Sequence, residues 1–506
     1  MIPSTTLSLV PLDDRPCNRL FPAQLAPTAG WEVSLPPRES LGWFTRPGDC
    51  EAISDWLRKA PSGRLVVSTD MLCYGGLIAS RSPAVGLEQA MGRLETLRHL
   101  RRERPDLAIF AFGLITRIGT TVAAADDLEA HELLRSYSQL LDRVERVGNQ
   151  EAQAELEAVV QRLDPDVLAK YLAVRRRNHA INRATIRLVA DGIVDYLVIA
   201  QEDAATFGVH VPEQLVLRDE VEEFRVADRV AIHPGADEVA LVLMARQCLA
   251  IERSVGITVD YATEAGADAV PQFENHSLRD SVASQIAAAG AHLAPPGEAD
   301  AVLFVHTPLG QQGDITAAPP LGEAPSLALQ AESVSERVQA ASAAGRLVGL
   351  ADVAYCNGCD PELIAALGRI GAARGLDAFA GWNTAGNTIG TVVAQLCLRA
   401  VSGVSTDSPT PAASARFLAC RFIDDYAYQS QVRQRAIAHA EGMGADPHAL
   451  GTAWSESERY VSAELEPLAH VIYSDLLAER PDDSLGDVSA SLPWRRLFEV
   501  EVDVSR

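Results

Sequence analysis

The sequence predicts an α/β protein in which parallel-sheet βα units form two lobes, with a helical insertion and a mainly helical C-terminal region. Short β-rich runs recur along the chain, and each is followed by a polar or glycine-bearing turn and then by a helical pattern. This order is typical of βα units in a parallel sheet. The length of 506 residues also exceeds one ordinary core, since domains usually span roughly 100 to 200 residues. One elaborated (β/α)8-type barrel stays open as the alternative.

The β-rich runs fall into two series. The first series comprises residues 6–12, 31–36, 64–69, 107–114 and 195–201. The second series comprises residues 229–234, 257–262, 300–307, 347–355 and 376–382. We therefore predict an N-terminal lobe over residues 1–228 and a second lobe over residues 229–400. A linker rich in Ser, Thr and Pro follows at 401–414, and a mainly helical region occupies 415–506.

A long helical insertion is predicted between the fourth and fifth strands, at residues 126–190. Its apolar residues recur at three-to-four spacing with charged residues between them, which is typical of amphipathic helices. A basic stretch, RRRNHAINRATIRL at 175–188, closes the insertion. This stretch is interpreted either as a solvated helix face or as an anion contact made by Arg177 or Asn178.

Composition argues against several classes of function. The chain carries 68 acidic and 44 basic residues, a formal net charge of -24, and such a surface repels nucleic acid and anionic membranes. No stretch approaches the roughly 18 apolar residues of a membrane span, and the N-terminus lacks the basic region of a signal peptide. Eight cysteines in so long a chain predict thiols in a reducing cytoplasm and no disulfide scaffold. We expect neither nucleic acid nor a membrane as partner, and the sequence does not determine the oligomeric state.

Polar residues follow most of the predicted strands. In an open parallel sheet or a barrel, ligands bind beyond the carboxyl ends of the strands, because loops converge there and helix N-termini point their amides inward. The candidate catalytic acids at these positions are Asp14, Asp70, Glu202 and Asp203. The candidate substrate-binding residues are Asp13, Arg15, Asn18, Tyr74, Arg81, Arg117, Asp237, Glu238, Asn357, Asp360, Trp382, Asn383 and Asn387.

Two pairs of adjacent acids, Asp13–Asp14 and Glu202–Asp203, are the sharpest signal. Neighbouring side chains at a strand mouth point in opposite directions, so we expect at least one acid of each pair to face the ligand. Acids on two sides of a cleft can act as general acid and general base, with burial raising the pKa of one and an arginine keeping the other ionised. The arginines available for this purpose are Arg15, Arg81 and Arg117.

Several candidate residues also have a purely structural interpretation. Asp237 and Asp360 each precede a helical pattern and fit the N-cap position. Asn383 and Asn387 lie beside glycines and fit a tight turn, while Trp382 fits a core position. The competing interpretation of this last segment, WNTAGNT, is a platform for a ligand. The single pair Cys356-Asn-Gly-Cys359 lacks the second pair of ligands that a zinc site needs.

Five motifs in order resemble a bacterial family catalogued as a domain of unknown function, DUF4127. The motifs are VPLDDRPCN, STDMLCYGGLIASR, HPGADE, ADVAYCNGCD and GWNTAGNTIG, and the resemblance extends to about residues 421–429. It implies a family and no particular chemistry. The residues that match its motifs are Asp13, Asp14, Arg15, Asn18, Asp70, Tyr74, Gly75, Gly76, Asn357, Gly358, Asp360, Trp382, Asn383 and Asn387. Cys359 stands inside the NGxD motif, which argues against a catalytic role for that position.

The leading hypothesis is a carbohydrate-processing hydrolase of the glycosidase type that needs no cofactor. Many polar groups, together with the rings of Trp382 and Tyr74, suit a ligand with several hydroxyls and an apolar ring face. Two carboxylates would cleave the glycosidic bond of a small-molecule or oligosaccharide substrate. The chain lacks the GxSxG, GxxxxGK[ST] and strand-linked GxGxxG motifs, which argues against α/β-hydrolases, P-loop NTPases and dinucleotide enzymes.

Two alternatives stay open. The first is a hydrolase or lyase in which Asp13, Asp70 and Asp203 bind Mg²⁺ or Mn²⁺ and His233 or His306 assists. The second is a non-catalytic sugar-binding protein with the same polar cleft. A chelator would abolish turnover in the first case, and the ligand would bind without turnover in the second.

Overall fold

The computed structural model describes residues 5–60, 62–251, 253–402, 410–478 and 484–504, and it confirms a mixed α/β protein with parallel sheets and a helical C-terminal region. The chain divides into two compact units, each assembled from separate segments. The N-terminal unit comprises Met1–Arg19, Glu32–Leu243 and Phe273–His276. The C-terminal unit comprises Leu20–Trp31, Met244–Gln272 and Ser277–Arg506.

The sheet of the N-terminal unit has six strands in the order β2-β1-β3-β4-β5-β6. Its strands are β1 (Thr5–Val10), β2 (Trp31–Ser34), β3 (Arg64–Ser68), β4 (Ala108–Ile115), β5 (Tyr196–Gln201) and β6 (Val230–Pro234). The neighbours from β1 to β6 in this order pair in parallel. The sequence assigned residues 229–234 to the second series, and this was wrong, because β6 pairs with β5. A single helix joins the two strands, and strands joined by a short crossover usually lie side by side.

Helices alternate with these strands, as the βα pattern predicted. Those up to residue 249 are α1 (Pro16–Leu25), α2 (Cys50–Lys59), α3 (Thr69–Tyr74), α4 (Leu77–Ser80), α5 (Leu87–Leu94), α6 (Thr96–Glu103), α7 (Leu128–Glu145), α8 (Ala152–Arg162), α9 (Pro165–Ala190), α10 (His210–Glu223) and α11 (Val239–Leu249). The predicted insertion between the fourth and fifth strands is confirmed as α7, α8 and α9. These helices bury an apolar cluster of their own that includes Leu134, Tyr137, Leu156 and Tyr171.

The C-terminal unit contains a five-stranded parallel sheet in the order β13-β11-β9-β7-β8. The strands from residue 256 onward are β7 (Gly256–Tyr261), β8 (His292–Leu293), β9 (Ala301–His306), β10 (Gly313–Asp314), β11 (Leu347–Asp352), β12 (Tyr355–Cys356), β13 (Ala378–Ala380), β14 (Val488–Ser491) and β15 (Glu501–Val504). Strands β10 and β12 pair in parallel, and β14 and β15 pair antiparallel.

Helices dominate the remainder of the C-terminal unit. They are α12 (Glu264–Ala267), α13 (Leu278–Ala288), α14 (Pro325–Ala343), α15 (Pro361–Ile370), α16 (Ala385–Ser402), α17 (Thr410–Arg421), α18 (Arg433–Gly442) and α19 (Trp454–Ile472), with π-helical segments at Phe422–Val432 and Tyr473–Leu477. Of the predicted linker at 401–414, residues 401–402 end α16 and residues 410–414 begin α17, while 403–409 lie outside the described residues. The described ends of this segment are therefore helical and not extended linker.

Both faces of the central strands are buried, as in parallel sheets covered by helices. In β5, for example, every residue of Tyr196–Gln201 is buried. Burial of one large aliphatic side chain contributes about 1.5 to 3 kcal/mol, so these strands have little freedom to shift. Their carboxyl ends are fixed as a consequence. No helix among the described residues is long and apolar enough to cross a membrane.

Candidate functional site

The register of the N-terminal sheet brings the ends of five strands, β1 and β3 to β6, to one edge, and Val10 at the end of β1 lies opposite Val67 of β3. Ser68 at the end of β3 lies opposite Phe112 of β4, and Ile115 at the end of β4 lies opposite Gln201. Gln201 at the end of β5 lies opposite Pro234 at the end of β6. The residues that follow these strands therefore emerge at the same edge, as the sequence predicted for a parallel sheet.

Arg15, which follows β1, is held between two carboxylates. Its guanidinium donates to both oxygens of Asp13 at 2.8–3.1 Å, and to Asp237 Oδ1 at 2.5 Å and Oδ2 at 3.1 Å. The Asn18 amide donates to Asp13 Oδ1 at 2.9 Å and to Asp237 Oδ1 at 3.1 Å. All four side chains are buried. We call this set the Arg15 cluster.

The Arg15 cluster carries fixed charges. Burial by itself lowers the pKa of Arg15, but the charges of Asp13 and Asp237 outweigh it and hold that pKa well above its ordinary value. The guanidinium therefore stays charged and cannot supply a proton. Asp237 joins the strand ends of β1 and β6 through these contacts with Arg15 and Asn18. These residues position the edge of the sheet.

Two further ion pairs lie at the ends of β4 and β5. Arg81 donates to Glu202 Oε1 in a short contact and to Thr121 Oγ1 at 2.9 Å. Arg117 Nη2 lies 2.6 Å from Asp203 Oδ2. Burial raises the pKa of Glu202 and lowers that of Arg81, because it disfavours both charged forms. The charge of Arg81 opposes the first of these effects, yet the pKa of Glu202 stays above its ordinary value.

Asp70 lies deeper in the same edge, in the first turn of α3. One of its carboxyl oxygens accepts a hydrogen bond from the Leu114 backbone N–H at 3.0 Å, and only 3% of the residue is exposed. Burial raises its pKa to about 7, and the neighbouring Glu202 charge adds to the rise. Arg177 and Arg81 act in the opposite direction. Asp70 can therefore exchange a proton near neutral pH.

Burial is graded across this edge. The side chains of Arg117 and Asp203 are 21% and 24% exposed, those of Arg81 and Glu202 are 7% and 10% exposed, and Asp70 is deeper still. A polar ligand approaching from solvent would meet the Arg117–Asp203 pair first. Asp70, whose pKa burial raises to about 7, lies innermost of these groups, where water is scarce.

The remaining predicted residues of this unit have other partners. Asp14 is buried and faces Arg38, whose Nη2 lies 3.9 Å from its carboxylate. Glu238 accepts a hydrogen bond from the Ala236 N–H at 2.9 Å. A Cβ atom at Gly235 would lie 1.9 Å from Glu238 Oε1, so this turn requires glycine. The acids Asp13 and Asp14 thus lie near different arginines, Arg15 and Arg38.

The basic stretch at the end of the insertion is only partly buried: Arg177 and Asn178 are buried, whereas Arg176, Arg183 and Arg187 are exposed. The Arg177 guanidinium lies 4.3 Å from the centre of the Tyr74 ring and donates to the carbonyl oxygens of Ser80, Ser82 and Val85. Asn178 donates to Thr116 Oγ1 and to the Ser80 carbonyl, at 2.9 Å each. The solvated-face interpretation is therefore wrong for these two residues. They instead hold the α4 segment against α9, and one face of Tyr74 is covered.

The other predicted residues belong to the C-terminal unit. Asn357 and Asn383 both have left-handed backbone conformations, with φ of 63° and 53°, and the Asn357 N–H donates to the Asn383 carbonyl at 2.8 Å. The positive φ of Asn383 supports the tight-turn interpretation, which is wrong for Asn387 because that residue lies within a helix. Trp382 packs edge-on against Phe21 with ring centres 5.6 Å apart. Asn387 is buried within α16.

Asp360 has two roles in the C-terminal unit. Its Oδ1 accepts from the Glu362 N–H at 3.0 Å, so the N-cap interpretation is confirmed, and its Oδ2 lies 2.8 Å from His306 Nε2. The Asp360 N–H donates to Asp352 Oδ2 at 2.7 Å. Burial raises the pKa of Asp352 to about 7. This buried group of Asp352, Asp360 and His306 closes the ends of β9 and β11.

Asp425 and Arg421 were not among the residues predicted from the sequence. Burial raises the pKa of Asp425 to about 8, while its carboxylate accepts from Arg421 Nη1 at 2.8 Å and from the Gly381 N–H at 2.9 Å. The signal available in the sequence was an arginine four residues before an acid inside the apolar run FLACRFIDDYAY. Charged residues in such a run must be paired when it is buried.

The described residues contain no group of three or more His, Cys, Asp or Glu side chains arranged to hold a metal ion. The acids named for the metal alternative have separate contacts: Asp13 with Arg15, Asp203 with Arg117, and Asp70 with the Leu114 N–H. All eight cysteines are buried, and burial raises the pKa of the Cys359 thiol well above its usual value.

Fold and site together define an α/β protein with acidic and basic side chains gathered at the carboxyl edge of a buried parallel sheet. The chain belongs to the DUF4127 family, described as "Protein of unknown function", whose family model matches residues 7–503. This match confirms the resemblance seen in the five motifs. No curated protein and no solved structure matches the chain.

Proposed function

We propose that the N-terminal unit is a hydrolase of the glycosidase type, with Asp70 as general acid and Glu202 as the ionised carboxylate. One observation carries the proposal: a buried acid with a pKa of about 7 lies in the field of a second acid that an arginine holds. Glycoside hydrolysis needs a protonated carboxyl group for the leaving oxygen and an ionised one for water or the sugar. Different environments for two neighbouring acids are the usual way to achieve this.

The remaining chemistry of this edge favours carboxylates over a nucleophilic thiol. Burial raises the pKa of Cys73 well above its ordinary value, so its reactive thiolate is scarce. Burial also lowers the pKa of His233 to about 4, and its Nδ1 is occupied by the Pro234 carbonyl at 2.8 Å. His233 is therefore neutral at physiological pH. Asp70, with a pKa of about 7, is suited to exchange protons near neutral pH.

The first experiment is hydrolysis of a panel of aryl glycosides by the wild-type chain, Asp70→Asn and Glu202→Gln, each with and without EDTA. We expect chelator-insensitive turnover that falls by roughly 10²- to 10⁴-fold in each variant, the usual contribution of general acid–base catalysis. Asp55→Asn is the matched control, because Asp55 is an exposed acid that pairs with Arg58 at the surface. Its activity should equal that of the wild type.

The pH profile gives a second readout. A general acid must be protonated, so the wild-type rate should fall as pH rises through about 7, the pKa of Asp70. Turnover that EDTA abolishes would replace this proposal with the Mg²⁺ or Mn²⁺ enzyme. Sugar binding without turnover of any glycoside, or variants as active as the wild type, would overturn it.

A further inference from the structure

A cavity of ≈ 300 Å³ lies in the C-terminal unit, beyond the carboxyl ends of β9 and β11. Pro308 and Leu309 follow β9, and Ala354 and Tyr355 follow β11, so two strand ends supply two of its walls. The N-terminus of α14 supplies the third, and the other lining residues are Gln311, Gly313, Ala324, Pro325, Ser326 and Leu327. The strand order of this sheet reverses at β7, which lies between β8 and β9. In open α/β sheets, ligands bind beyond the carboxyl ends of the strands next to such a reversal.

Hydrogen bonds hold the walls of this cavity in place. The Gln330 amide donates to the Thr307 carbonyl at 2.7 Å and ties α14 to the segment that follows β9. The Gln312 amide donates to the Val353 carbonyl at 2.8 Å and ties that segment to the one that follows β11. Strands β10 and β12 pair in parallel beside it. The cavity is therefore preformed, as sites for small molecules usually are.

The cavity has no acidic or basic side chain among the described residues that line it. The helix α14 is 19 residues long, no described side chain caps it, and the N–H groups of its first turn carry partial positive charge. Carboxylates act from the other side: the Ala354 N–H donates to Asp352 Oδ1 at 3.2 Å. Burial, together with the charges of Asp360, Asp352 and Glu362, raises the pKa of Tyr355 to about 12. The helix N-terminus disfavours a cation and the carboxylates disfavour an anion, so the cavity favours a neutral ligand.

The surface of the cavity is amphipathic. Pro308, Leu327 and Ala354 are buried apolar residues, and the half-buried Tyr355 adds the face of its ring. The Tyr355 hydroxyl has no hydrogen-bond partner among the described residues and stays protonated at neutral pH, so it can both donate and accept. The first turn of α14 adds N–H groups that donate. The site therefore offers apolar contact together with hydrogen bonds of both kinds.

We propose that this cavity is a binding site for a neutral sugar, a single uncharged hexopyranose ring. The hydroxyl groups of a sugar donate and accept hydrogen bonds, and the C–H face of its ring packs on Tyr355 and the apolar wall. Pockets for small molecules span about 300 to 1,000 Å³, so a cavity at the lower end of this range suits one ring and not a longer chain of sugars. Its residues all belong to the C-terminal unit, so the site does not depend on the reaction proposed for the N-terminal unit.

Saturation-transfer NMR titrations of the full chain test this site with the methyl glycosides of D-glucose, D-galactose and D-mannose. Ser326→Trp places a large side chain at the exposed rim of the cavity. Ser333→Trp is the matched control, because Ser333 is exposed on the same helix and does not line the cavity. Tyr355→Phe removes only the hydroxyl. Its control is Tyr261→Phe, since Tyr261 is likewise half-buried and burial raises its pKa to about 12.

We expect the wild type, Ser333→Trp and Tyr261→Phe to bind at least one of these glycosides. The uronate and the amino sugar of the same configuration should bind roughly tenfold more weakly, because a charge would lose water without gaining a partner. Ser326→Trp should lose the binding, and Tyr355→Phe should weaken it by roughly 2- to 10-fold, the usual contribution of one hydrogen bond.

The proposal would be overturned if none of the three glycosides bound, if Ser326→Trp bound them as tightly as the wild type, or if either charged sugar matched the neutral one. Equal affinities of Tyr355→Phe and Tyr261→Phe would overturn it too. Binding that Ser326→Trp abolishes, in a chain that hydrolyses no aryl glycoside, would support this site and overturn the proposed reaction. Hydrolysis that requires Asp70 and Glu202, without any sugar binding that Ser326→Trp removes, would do the reverse.

Discussion

The Arg15 cluster allows a stability experiment that is independent of any activity. Arg15→Met would leave the carboxylates of Asp13 and Asp237 buried together without their cation. Removing one partner of a buried ion pair usually costs about 3 to 5 kcal/mol, because the remaining charge has lost both water and its partner. In Asp237→Asn, Arg15 and Asp13 remain as an ion pair with no net charge. We expect this substitution to cost only about 1 to 3 kcal/mol, the usual cost of leaving a buried hydrogen-bonding group without its partner.

Differential scanning calorimetry of the full chain at neutral pH shows which of the two variants, Arg15→Met or Asp237→Asn, loses more stability. One kcal/mol shifts the midpoint of a unit this large by roughly 2 to 4 °C, so Arg15→Met should lower it by roughly 6 to 20 °C. Asp237→Asn should lower it by clearly less. Arg58→Met removes an exposed pair, with side chains 50% and 64% exposed, and should stay within about 0.5 kcal/mol of the wild type. The reasoning would be refuted if the melting midpoint of Arg15→Met equalled that of the wild type or exceeded that of Asp237→Asn.

Three further expectations follow from single features of the N-terminal unit and of the thiols. The pKa of Asp70 is raised to about 7, so the stability that its protonated form contributes is fully present below about pH 4 and is lost as pH rises through 7. Between pH 4 and 8, the melting temperature of Asp70→Asn should therefore fall less than that of the wild type. An identical fall in both chains would contradict the raised pKa of Asp70. A Cβ atom at Gly113 would lie 2.4 Å from Thr69 Oγ1, so Gly113→Ala should destabilise by about 1 to 3 kcal/mol in urea. Gly92 lies in α5, where an added Cβ atom would meet nothing within 4 Å, so Gly92→Ala should raise the free energy of unfolding by about 0.5 to 1 kcal/mol. Equal effects of Gly113→Ala and Gly92→Ala would refute the predicted clash at Gly113. All eight cysteines are buried, so an aromatic disulfide reagent should react slowly with the native chain. After unfolding it should label all eight thiols. Fast labelling of the native chain would show that the thiols are not buried.

The sequence predicted the components of the fold because their signals are local. Alternating β-rich runs and helical patterns depend on neighbouring residues, so the βα units and the helical insertion were predicted from them. The polar segments after each strand were likewise visible, since parallel strands place them at one edge. The assignment of β6 to the second series failed because a strand's own sequence does not specify its partner.

The sequence by itself determined which residue types stand at the ends of the strands, and only the tertiary structure decided which of them meet. Arg15 and Asp237 are separated by 222 residues, and nothing between them in the chain specifies their ion pair. The protonation of Asp70 was equally hidden, because its pKa depends on burial, and burial exists only once the sheet and helices close around the carboxyl group. Local pattern fixes the elements, whereas long-range packing and the loss of water fix the chemistry of the side chains they carry.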